Sequence, residues 1–278
     1  MSGKLYLCAT PIGNLGDITF RTLECLKQVD MIAAEDTRNS MKLMTHFDIH
    51  TQLTSYHEHN KYDKADKLVG ELLSGKNIAL ITDAGTPAIS DPGEVLVRKC
   101  QEAGIEVTSL PGPSAAITAL TLSGLSTGRF VFEGFLPQDK AKRREVLEEL
   151  KGEYRTVILY EAPHHLRDTL ADLNGFFSER RISIARELTK KHEEILRFTV
   201  GEALSYYENE EPRGEFVLVM EGRDRQRDES EKRAAFEQMS PEEHVKKYIN
   251  EGMDRKAAMK QAAKDRGVSK RDIYNALI

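Results

Sequence analysis

A short apolar run followed by a long polar loop does most to limit what this chain folds into. Ile78–Ile81 is continuously apolar, which is typical of a strand buried on both faces of a parallel sheet. The loop Thr82–Gly93 then supplies two Gly, two Pro, two Asp, two Thr and one Ser, and a helical pattern runs from Glu94 to Gln101. Open α/β sheets bind ligands at the carboxyl ends of their strands. We therefore expect this loop to bring backbone N–H and C=O groups against a small polar molecule.

The same loop also fits a simpler interpretation, a turn that joins a strand to a helix. Asp91 is a residue type favoured at the N-cap of a helix, and Pro92 is favoured at the first helical position. Local chemistry alone leaves both interpretations open.

Apolar runs alternate with helical patterns over the whole first half of the chain. Further strands are predicted at Lys4–Ala9, Met31–Ala34, Gln52–Tyr56 and Glu106–Leu110, and helices after Thr19, over Tyr62–Leu73 and over Ala115–Leu122. This alternation predicts an α/β fold with a mostly parallel sheet. Polar loops follow several of the strands, at residues 10–17, 35–38, 57–60 and 111–114, so we expect them to cluster at one edge of that sheet.

A second α/β region begins after a hinge at Ser123–Arg129. Strands are predicted at Phe130–Leu136, Thr156–Tyr160, Ile182–Arg186, Ile195–Val200 and Glu215–Met220, with helices over Lys140–Leu150, His164–Phe177 and Glu202–Tyr207. Several of these strands have no helix between them, so this sheet should be mixed or partly antiparallel. The predicted domains are residues 1–123 and 124–223, followed by a charged linker, 224–239, and a small helical domain, 240–278.

The C-terminal segment has a helix-turn-helix pattern. Ser240 to Glu243 forms a capping box, and helical runs at Asp254–Lys264 and Ser269–Leu277 flank a turn that contains Gly267. From residue 241 to 278 nine Lys/Arg stand against six Asp/Glu, a net charge of +3. A small packing or dimerisation module and a nucleic-acid contact are both compatible with this segment.

Composition narrows the class of protein. The 278 residues carry a net charge of −5, so any RNA contact must come from local basic patches. Cys8, Cys25 and Cys100 have no paired spacing, which favours a reducing compartment over a disulfide framework or zinc site. Since no apolar run has membrane-spanning length and no signal-peptide pattern is present, we expect a soluble cytoplasmic protein.

Six motifs, taken in order, resemble one family. They are Ala9–Leu15, Glu35–Arg38, Ser55–Asn60, Thr82–Gly93, Pro111–Ala115 and Tyr160–His164. Together they resemble the bacterial ribosomal RNA small subunit methyltransferase I family of the tetrapyrrole methylase superfamily, over essentially the whole chain. The resemblance implies S-adenosylmethionine (SAM) as methyl donor, held in a cleft between two α/β domains. It also implies a homodimer and 2′-O-methylation of a cytidine in the decoding centre of 16S rRNA, at the position usually numbered 1402.

The resemblance also implies which residues hold SAM. The loop after the central strand contributes Gly85, Thr86, Pro87, Ile89 and Ser90, and Pro11, Ser114 and Ala115 are added from neighbouring loops. Ser114 precedes a helix whose N-terminal N–H groups would suit a carboxylate. Tyr160 and Leu188 are expected as walls of the purine slot from the second domain, although Tyr160 also fits an aromatic residue of the core.

Methyl transfer to a ribose hydroxyl is an in-line displacement in which alignment does much of the work. A group that accepts the proton would help, and the residues considered are Glu35, Asp36, His57, Glu58, His59, Lys190 and His192. We predict His57 or Glu58 as the acceptor and Lys190 as a cation beside the developing oxyanion. No metal is expected, because His57 and His59 lack a third ligand at a diagnostic spacing.

RNA contact requires cations for phosphate and groups that read an unstacked base or a 2′-hydroxyl. The residues predicted for it are Arg38, His59, Asn60, Arg186, Lys191 and His192. The three segments 35–38, 57–60 and 186–192 are expected to converge at one rim facing the methyl group.

Two other functions are compatible with parts of this sequence. A methyltransferase of the same fold that acts on a tetrapyrrole or another small molecule would have no need of the C-terminal segment. A non-enzymatic nucleic-acid-binding regulator would bind duplex DNA tightly without methyl transfer, which the acidic body of the chain disfavours.

Overall fold

The computed structural model describes residues 2–224, 230, 236 and 239–277, and it divides the chain into two compact units, 1–222 and 223–278. The first unit holds two five-stranded sheets with helices, and the described part of the second is helical. The predicted α/β fold class is confirmed. The predicted domain limits stay a prediction, and the predicted linker at 224–239 falls almost entirely outside the described residues.

The first sheet is parallel throughout and has the strand order β3-β2-β4-β1-β5. Its strands are β1 (Lys4–Cys8), β2 (Met31–Ala34), β3 (Leu53–Ser55), β4 (Ile78–Ile81) and β5 (Glu106–Leu110). Leu5 of β1 lies opposite Ile78 on one side and Val107 on the other. Because every strand runs the same way, all five carboxyl ends lie at one edge of the sheet.

Helices cover both faces of this sheet, which explains why its strands β2 and β4 are continuously apolar. They are α1 (Phe20–Gln28), α2 (Thr37–His46), α3 (Lys61–Leu73) and α4 (Gly93–Glu102). Leu26 and Met44, from α1 and α2, belong to the apolar core on one face. Leu68 and Leu96, from α3 and α4, belong to the core on the other face.

Helix α2 was not predicted, because the sequence indicated only a polar loop after β2. Asp36 caps this helix, and its carboxylate accepts a hydrogen bond from the Arg38 backbone N–H at 2.8 Å. Ser40 and Met44 are the two residues of α2 that are fully buried. An apolar stripe this narrow gives little periodic signal.

The second sheet is mixed, as predicted, with the strand order β6-β7-β10-β8-β9. Its strands are β6 (Phe130–Phe135), β7 (Thr156–Glu161), β8 (Arg181–Arg186), β9 (Glu194–Thr199) and β10 (Phe216–Met220). The pair β6–β7 is parallel and the other three pairs are antiparallel.

The helix between the two sheets is α5 (Ala115–Ser123), which follows β5 but packs on the second sheet. Its residues Ala116 and Leu120 share an apolar core with Ile158 and Val219. The opposite face of that sheet is covered by α6 (Lys140–Leu150), α7 (Leu166–Phe177) and α8 (Val200–Asn209). Since α5 belongs to one sheet by sequence and to the other by packing, its N-terminus lies where the two sheets meet.

The second unit contains α9 (Pro241–Asn250), α10 (Arg255–Arg266) and α11 (Lys270–Asn275). The predicted capping box at Ser240 is present, and Gly267 ends α10 with φ 65° in the left-handed region. Val245, Met259 and Ile273, one from each helix, form its small core.

Candidate functional site

The loops that leave the first sheet lie side by side along its carboxyl edge, in the order of the strands. Side-chain hydrogen bonds join three of them. The Thr82 hydroxyl donates to Glu35 Oε2 at 2.8 Å, and the Thr10 hydroxyl donates to the Thr82 carbonyl at 3.0 Å. The Asp36 backbone N–H also donates to Asp83 Oδ1 at 3.2 Å. The loops after β1, β2 and β4 are therefore joined by polar contacts.

A cavity of ≈ 390 Å³ opens between this edge and the second sheet. A volume of this size is typical of a site for a small molecule or cofactor. Its lining comes from both sheets and from the N-terminus of α5: Ile12, Glu35, Thr82, Ala84, Gly85, Thr86, Ile89, Ser90, Asp91, Ser114, Ala115, Phe135, Tyr160, Glu161, Ala162, Pro163, Leu188, Glu215, Phe216 and Val217.

The loop after β4 has an unusual backbone. Gly85 has φ 83°, and the non-glycine residues Ala88 and Ser90 also lie in the left-handed region, at φ 67° and 61°. Two backbone hydrogen bonds between Thr10 and Gly85, at 2.9 and 3.0 Å, pin the loop to the end of β1. Left-handed non-glycine residues carry strain and persist where the surroundings hold them, which is common at ligand sites.

Asp91 stabilises this backbone from inside the loop. Its Oδ1 accepts hydrogen bonds from the backbone N–H groups of Ala88, at 3.0 Å, and Gly93, at 2.7 Å. Burial raises the pKa of Asp91, and its Oδ2 is buried without a hydrogen-bond partner. The N-cap of α4 is Pro92, one residue after the predicted cap Asp91, and the helix begins at Gly93. Asp91 nevertheless accepts the Gly93 N–H at the start of that helix, and its Oδ2 is an acceptor atom without a partner beside the cavity. The role of this loop in ligand binding stays a prediction.

The N-terminus of α5 forms the floor of the site. Ser114 is its N-cap residue, and the Ser114 side chain makes no capping hydrogen bond. The Thr86 hydroxyl donates to the Pro113 carbonyl at 3.0 Å, which fixes the neighbouring loop. The first N–H groups of α5, without a side-chain cap, are donors suited to an anionic or acceptor group of a ligand.

The second sheet supplies an aromatic wall. The Tyr160 ring makes edge-to-face contacts with Phe132 and Phe135, at centroid distances of 5.0 and 5.6 Å. Burial raises the pKa of Tyr160, so its hydroxyl is neutral near pH 7. Gly134, at a bulge of β6, faces the Ser90 loop so closely that a Cβ there would lie 3.2 Å from Ser90 Oγ.

Lys190 pairs with two carboxylates at the ends of strands β8 and β10 of the second sheet. Its Nζ pairs with Glu187 at 3.0 Å and with Glu215, a cavity residue, at 2.9 Å. Burial alone would lower the pKa of Lys190, but these hydrogen bonds to Glu215 and Glu187 raise it, so the ammonium is charged. A Cβ at Gly13 would lie 2.5 Å from Lys190 Cγ, so the loop after β1 packs directly against this chain segment.

His57 and Glu58 follow β3, the edge strand, and do not line the cavity. The His57 backbone N–H donates to Asn60 Oδ1 at 2.9 Å, His57 Nδ1 is buried without a partner, and Glu58 pairs with Lys61. Three strand spacings, about 14 Å, separate β3 from β1. Among the residues considered as proton acceptors, Glu35 is the one whose side chain reaches the cavity lining.

The residues predicted for RNA contact are divided between the two sheets: Arg38, His59 and Asn60 follow strands of the first sheet, and Arg186, Lys191 and His192 lie at the end of β8 and after it. The Arg38 side chain is 91% exposed and lies 3.5 Å from Asp36. His59 is exposed and Asn60 bonds His57. Arg186 pairs with Glu194 at 3.0 Å, while Lys191 and His192 are exposed.

Eight of the ten predicted cofactor residues line the cavity: Gly85, Thr86, Ile89, Ser90, Ser114, Ala115, Tyr160 and Leu188. Pro11 instead lines an adjoining depression of ≈ 230 Å³, and Pro87 is buried within the loop after β4 without lining the cavity. Sequence reasoning missed Ile12, Phe135, Glu161 and Glu215 as lining residues. Ile12 and Glu161 stood inside two of the six motifs, so a signal existed for them, whereas Phe135 and Glu215 reach the site through the pairing of the second sheet.

Within the described residues, no cluster of three or more His, Cys, Asp or Glu has the arrangement of a metal site. A search of the same residues for a helix able to cross a bilayer found none.

Similarity to known proteins covers almost the entire chain. A model of the family of tetrapyrrole (corrin/porphyrin) methylases matches residues 4–204. The ribosomal RNA small subunit methyltransferase I of Halalkalibacterium halodurans is 52% identical over 273 residues, which covers 98% of this chain and 94% of that protein. The proteins of the same name from Synechocystis and Bacillus subtilis are 48% and 47% identical, over 98% and 99% of this chain and 96% and 94% of their own length.

Solved structures share the fold at low sequence identity. A uroporphyrin-III-C-methyltransferase from Thermus thermophilus superposes with a TM-score of 0.57 at 17% identity, over 78% of this chain and 94% of that one. A diphthine synthase gives a TM-score of 0.63 at 12% identity, over 79% and 90%. At this distance the likeness concerns the fold alone.

Proposed function

Because this chain belongs to the family of ribosomal RNA small subunit methyltransferase I, within the tetrapyrrole methylases, we propose that it 2′-O-methylates a cytidine in the decoding centre of 16S rRNA. Membership makes the chain a methyltransferase that uses SAM. The nucleotide, the ribose oxygen and the position in the rRNA are the further content of the proposal.

The observation that carries the proposal is the cavity between the two sheets, because its chemistry fits SAM. The uncapped N-terminus of α5 offers donors for a carboxylate. The partnerless Asp91 Oδ2 and the Glu35 carboxylate offer acceptors for an ammonium or ribose hydroxyls. Leu188 and Tyr160 offer apolar surface for a purine. We therefore assign SAM to this cavity, with Gly85, Thr86, Ile89, Ser90, Ser114, Ala115, Tyr160 and Leu188 as its contacts, and Pro11 and Pro87 as support for the loops.

When bound, SAM supplies an electrophilic methyl group on a sulfonium leaving group. The remaining tasks belong to the chain: to align the 2′-oxygen with that methyl group, to exclude water and to take up a proton. The strained loop after β4 and the Thr10–Gly85 bridge hold one wall rigid, which favours alignment. Lys190, bound to Glu187 and Glu215, fixes the facing wall.

For the proton acceptor we propose the carboxyl edge of the first sheet, with His57 and Glu58 as the predicted residues and Glu35 beside them. Glu35 is favoured by its place in the cavity lining and by its hydrogen bond from Thr82. His57 is favoured by its buried, partnerless Nδ1. Lys190 is proposed as the cation near the developing oxyanion, because its charge is retained in the folded protein.

Single alanine variants at these positions separate the candidates. The residue that accepts the proton should lose about 10²-fold or more in single-turnover rate with SAM affinity nearly unchanged. Variants of the other carboxylates or imidazoles should lose far less. Equal, small losses at all of them would contradict a protein-derived base at this edge.

The reaction itself is tested with purified protein, labelled SAM and either 16S rRNA or the small ribosomal subunit as substrate. Nuclease digestion and mass spectrometry should yield 2′-O-methylcytidine. The same RNA with 2′-deoxycytidine at the target should accept no label. Label on a base atom, or on a tetrapyrrole offered in place of RNA, would contradict the proposal.

The proposed function has three further parts. The protein forms a homodimer and acts in the cytoplasm. It contacts RNA through Arg38, His59, Asn60, Arg186, Lys191 and His192. The exposure of Arg38, Lys191 and His192 supports these RNA contacts. Light scattering of the purified protein tests the dimer.

A further inference from the structure

The last two helices of the second unit carry an exposed cationic surface. Six basic side chains define it, and we call it the cationic face: Arg255, Lys256, Lys260, Lys264, Lys270 and Arg271. Within the part of the chain that the structure describes, none of these side chains forms an ion pair or a hydrogen bond. Residues 255–277 include seven Lys/Arg and two Asp/Glu, a net charge of +5, whereas the whole chain carries −5.

The two acidic residues among residues 255–277 accept hydrogen bonds from other groups of the second unit. Asp265 accepts hydrogen bonds from the Tyr248 hydroxyl and, at 2.8 Å, from the Gln261 amide. Asp272 accepts the Ser269 backbone N–H at 2.9 Å and so completes the cap of α11. Neither carboxylate pairs with a cation of the cationic face. The positive charge of that face is therefore uncompensated.

Part of the arrangement of these cations opposes helix stability, although Lys264 lies in the last turn of α10, where a cation is favourable, and Asp254 caps the N-terminus. Lys256, Lys260 and Lys264 are four residues apart, so they stack on one side of α10 with a rise of about 6 Å between neighbours. Like charges at this spacing destabilise a helix. Arg255 and Lys256 also stand at the N-terminus of α10, where cations oppose the helix dipole. A bound polyanion would offset the repulsion between the lysines of this row.

Helix α9 shows the contrast. Lys246 pairs with Glu242 at 2.8 Å, and the Lys247 ammonium lies 5.2 Å from the centre of the Phe236 ring. Basic residues on this helix thus have partners inside the unit, and the cationic face is specific to α10 and α11.

We propose that the cationic face binds the phosphate backbone of RNA beside unpaired nucleotides. This deepens the proposed function, on which the choice of RNA rests. Lys and Arg contacts to phosphate position a nucleic acid without reading its sequence, which leaves recognition of the target nucleotide to the first unit. The Tyr274 side chain, in a residue 54% exposed, lies on α11 and offers a ring on which an unpaired base can stack, as in RNA loops.

Duplex DNA is a weaker match to the same helices. Helix α11 has six residues and is about 9 Å long, and its first turn contains Asp272. A recognition helix reads the major groove through the residues of its first turns. A short helix with a carboxylate in its first turn offers few groups that could contact base edges in the major groove.

The test compares binding of the full-length protein to a 16S rRNA transcript over roughly 0.05–0.2 M KCl, without SAM. In K256Q/K260Q/K264Q, Gln keeps helix propensity and removes three charges. Three lost phosphate contacts should lower the slope of log K against log salt by about 2–3 and weaken binding about 10²-fold near 0.1 M salt. The control K27Q/K67Q/K76Q removes three charges from the first unit and should keep the wild-type slope. K256R/K260R/K264R should keep it too.

An unchanged slope in the Gln triple, with circular dichroism and SAM affinity like those of wild type, would overturn the proposal. The proposal would also be overturned if the wild-type protein bound a duplex DNA of the same length equally tightly and K256Q/K260Q/K264Q lost that binding. The ligand of the cationic face would then be DNA. Failure of the proposed function is read separately, as the absence of methyl transfer by the wild-type protein, since the binding measurement contains no SAM.

Discussion

Replacing Gly85 by Val tests the assignment of the cavity, because the structure predicts two separable effects. The first is backbone strain. Gly85 has φ 83°, where an L-residue costs about 1–2 kcal/mol and a β-branched residue lies at the upper end. For a unit of this size, about 1–2 kcal/mol lowers the melting temperature by roughly 2–8 °C, which leaves the protein folded.

The second effect is obstruction of the site. A Cβ at position 85 would lie 3.3 Å from Ile12 Cγ2 and 3.6 Å from the Pro113 carbonyl oxygen, among groups that form the cavity wall. The two further methyl groups of Val add volume to a cavity of ≈ 390 Å³. We expect SAM affinity to fall by at least about 10-fold, which corresponds to about 1.4 kcal/mol, and Gly85→Ala to give an intermediate loss.

Gly104 provides the matched control. It has φ 70°, and a Cβ there would meet nothing within 4 Å. Gly104→Val should therefore show a similar loss of stability with SAM affinity within about 2-fold of wild type. Calorimetric titration with SAM and thermal unfolding of both variants give the two quantities. Equal SAM affinities for Gly85→Val and Gly104→Val would refute the placement of SAM against this loop.

Three further predictions concern other parts of the molecule. Asp91→Asn keeps an oxygen that accepts the two backbone hydrogen bonds but removes a buried charge. Burial raises the folded-state pKa of Asp91 above its ordinary 3.8. The carboxyl group therefore stabilises the fold below pH 3.8, and this contribution to the free energy of unfolding is lost as the pH rises through the folded-state pKa. Urea unfolding of Asp91→Asn at a series of pH values should lack this loss of stability. Removing residues 223–278 should leave SAM affinity intact and weaken methylation of the ribosomal substrate, and a parallel loss of SAM affinity would contradict the separation of the two units. Exhaustive chelation should leave the methyl-transfer step active once magnesium has been restored for the RNA alone, whereas rescue by zinc would assign a metal to His57 and His59.

The central strands β2 and β4 were predictable because each is a short apolar run bounded by polar residues, whereas β3 and β5 contain polar residues and were predicted from the alternation of strands and helices. Ile78–Ile81 and Glu106–Leu110 are strands with the predicted limits. Helix α2 was missed because its buried side is narrow, with Met44 as its one fully buried large apolar side chain. A local sequence pattern reveals a helix by its apolar stripe. Helix α2 has almost no such stripe, so its formation depends on tertiary packing.

The cavity was predictable where one loop forms it and less so where distant elements meet. Gly85 to Ser90 follow directly from a strand end rich in small residues. Phe135 and Glu215 come from different strands of a mixed sheet, whose pairing order no local pattern contains. One of the two partners of Lys190, Glu215, is likewise distant in sequence and meets it through the fold, whereas Glu187 is three residues away.

Binding of the methyl donor by the strained loop after β4 can be tested most directly in rRNA from living cells. In a strain that lacks this protein, 2′-O-methylation is mapped along 16S rRNA by primer extension at limiting nucleotide concentration, and the strain is complemented with wild type, Gly104→Val or Gly85→Val. We expect one cytidine in the decoding centre to lose its 2′-O-methyl group in the deletion strain. Wild type and Gly104→Val should restore the methyl group, and Gly85→Val should not. An unaltered methylation map in the deletion strain, or full restoration by Gly85→Val, would contradict this expectation.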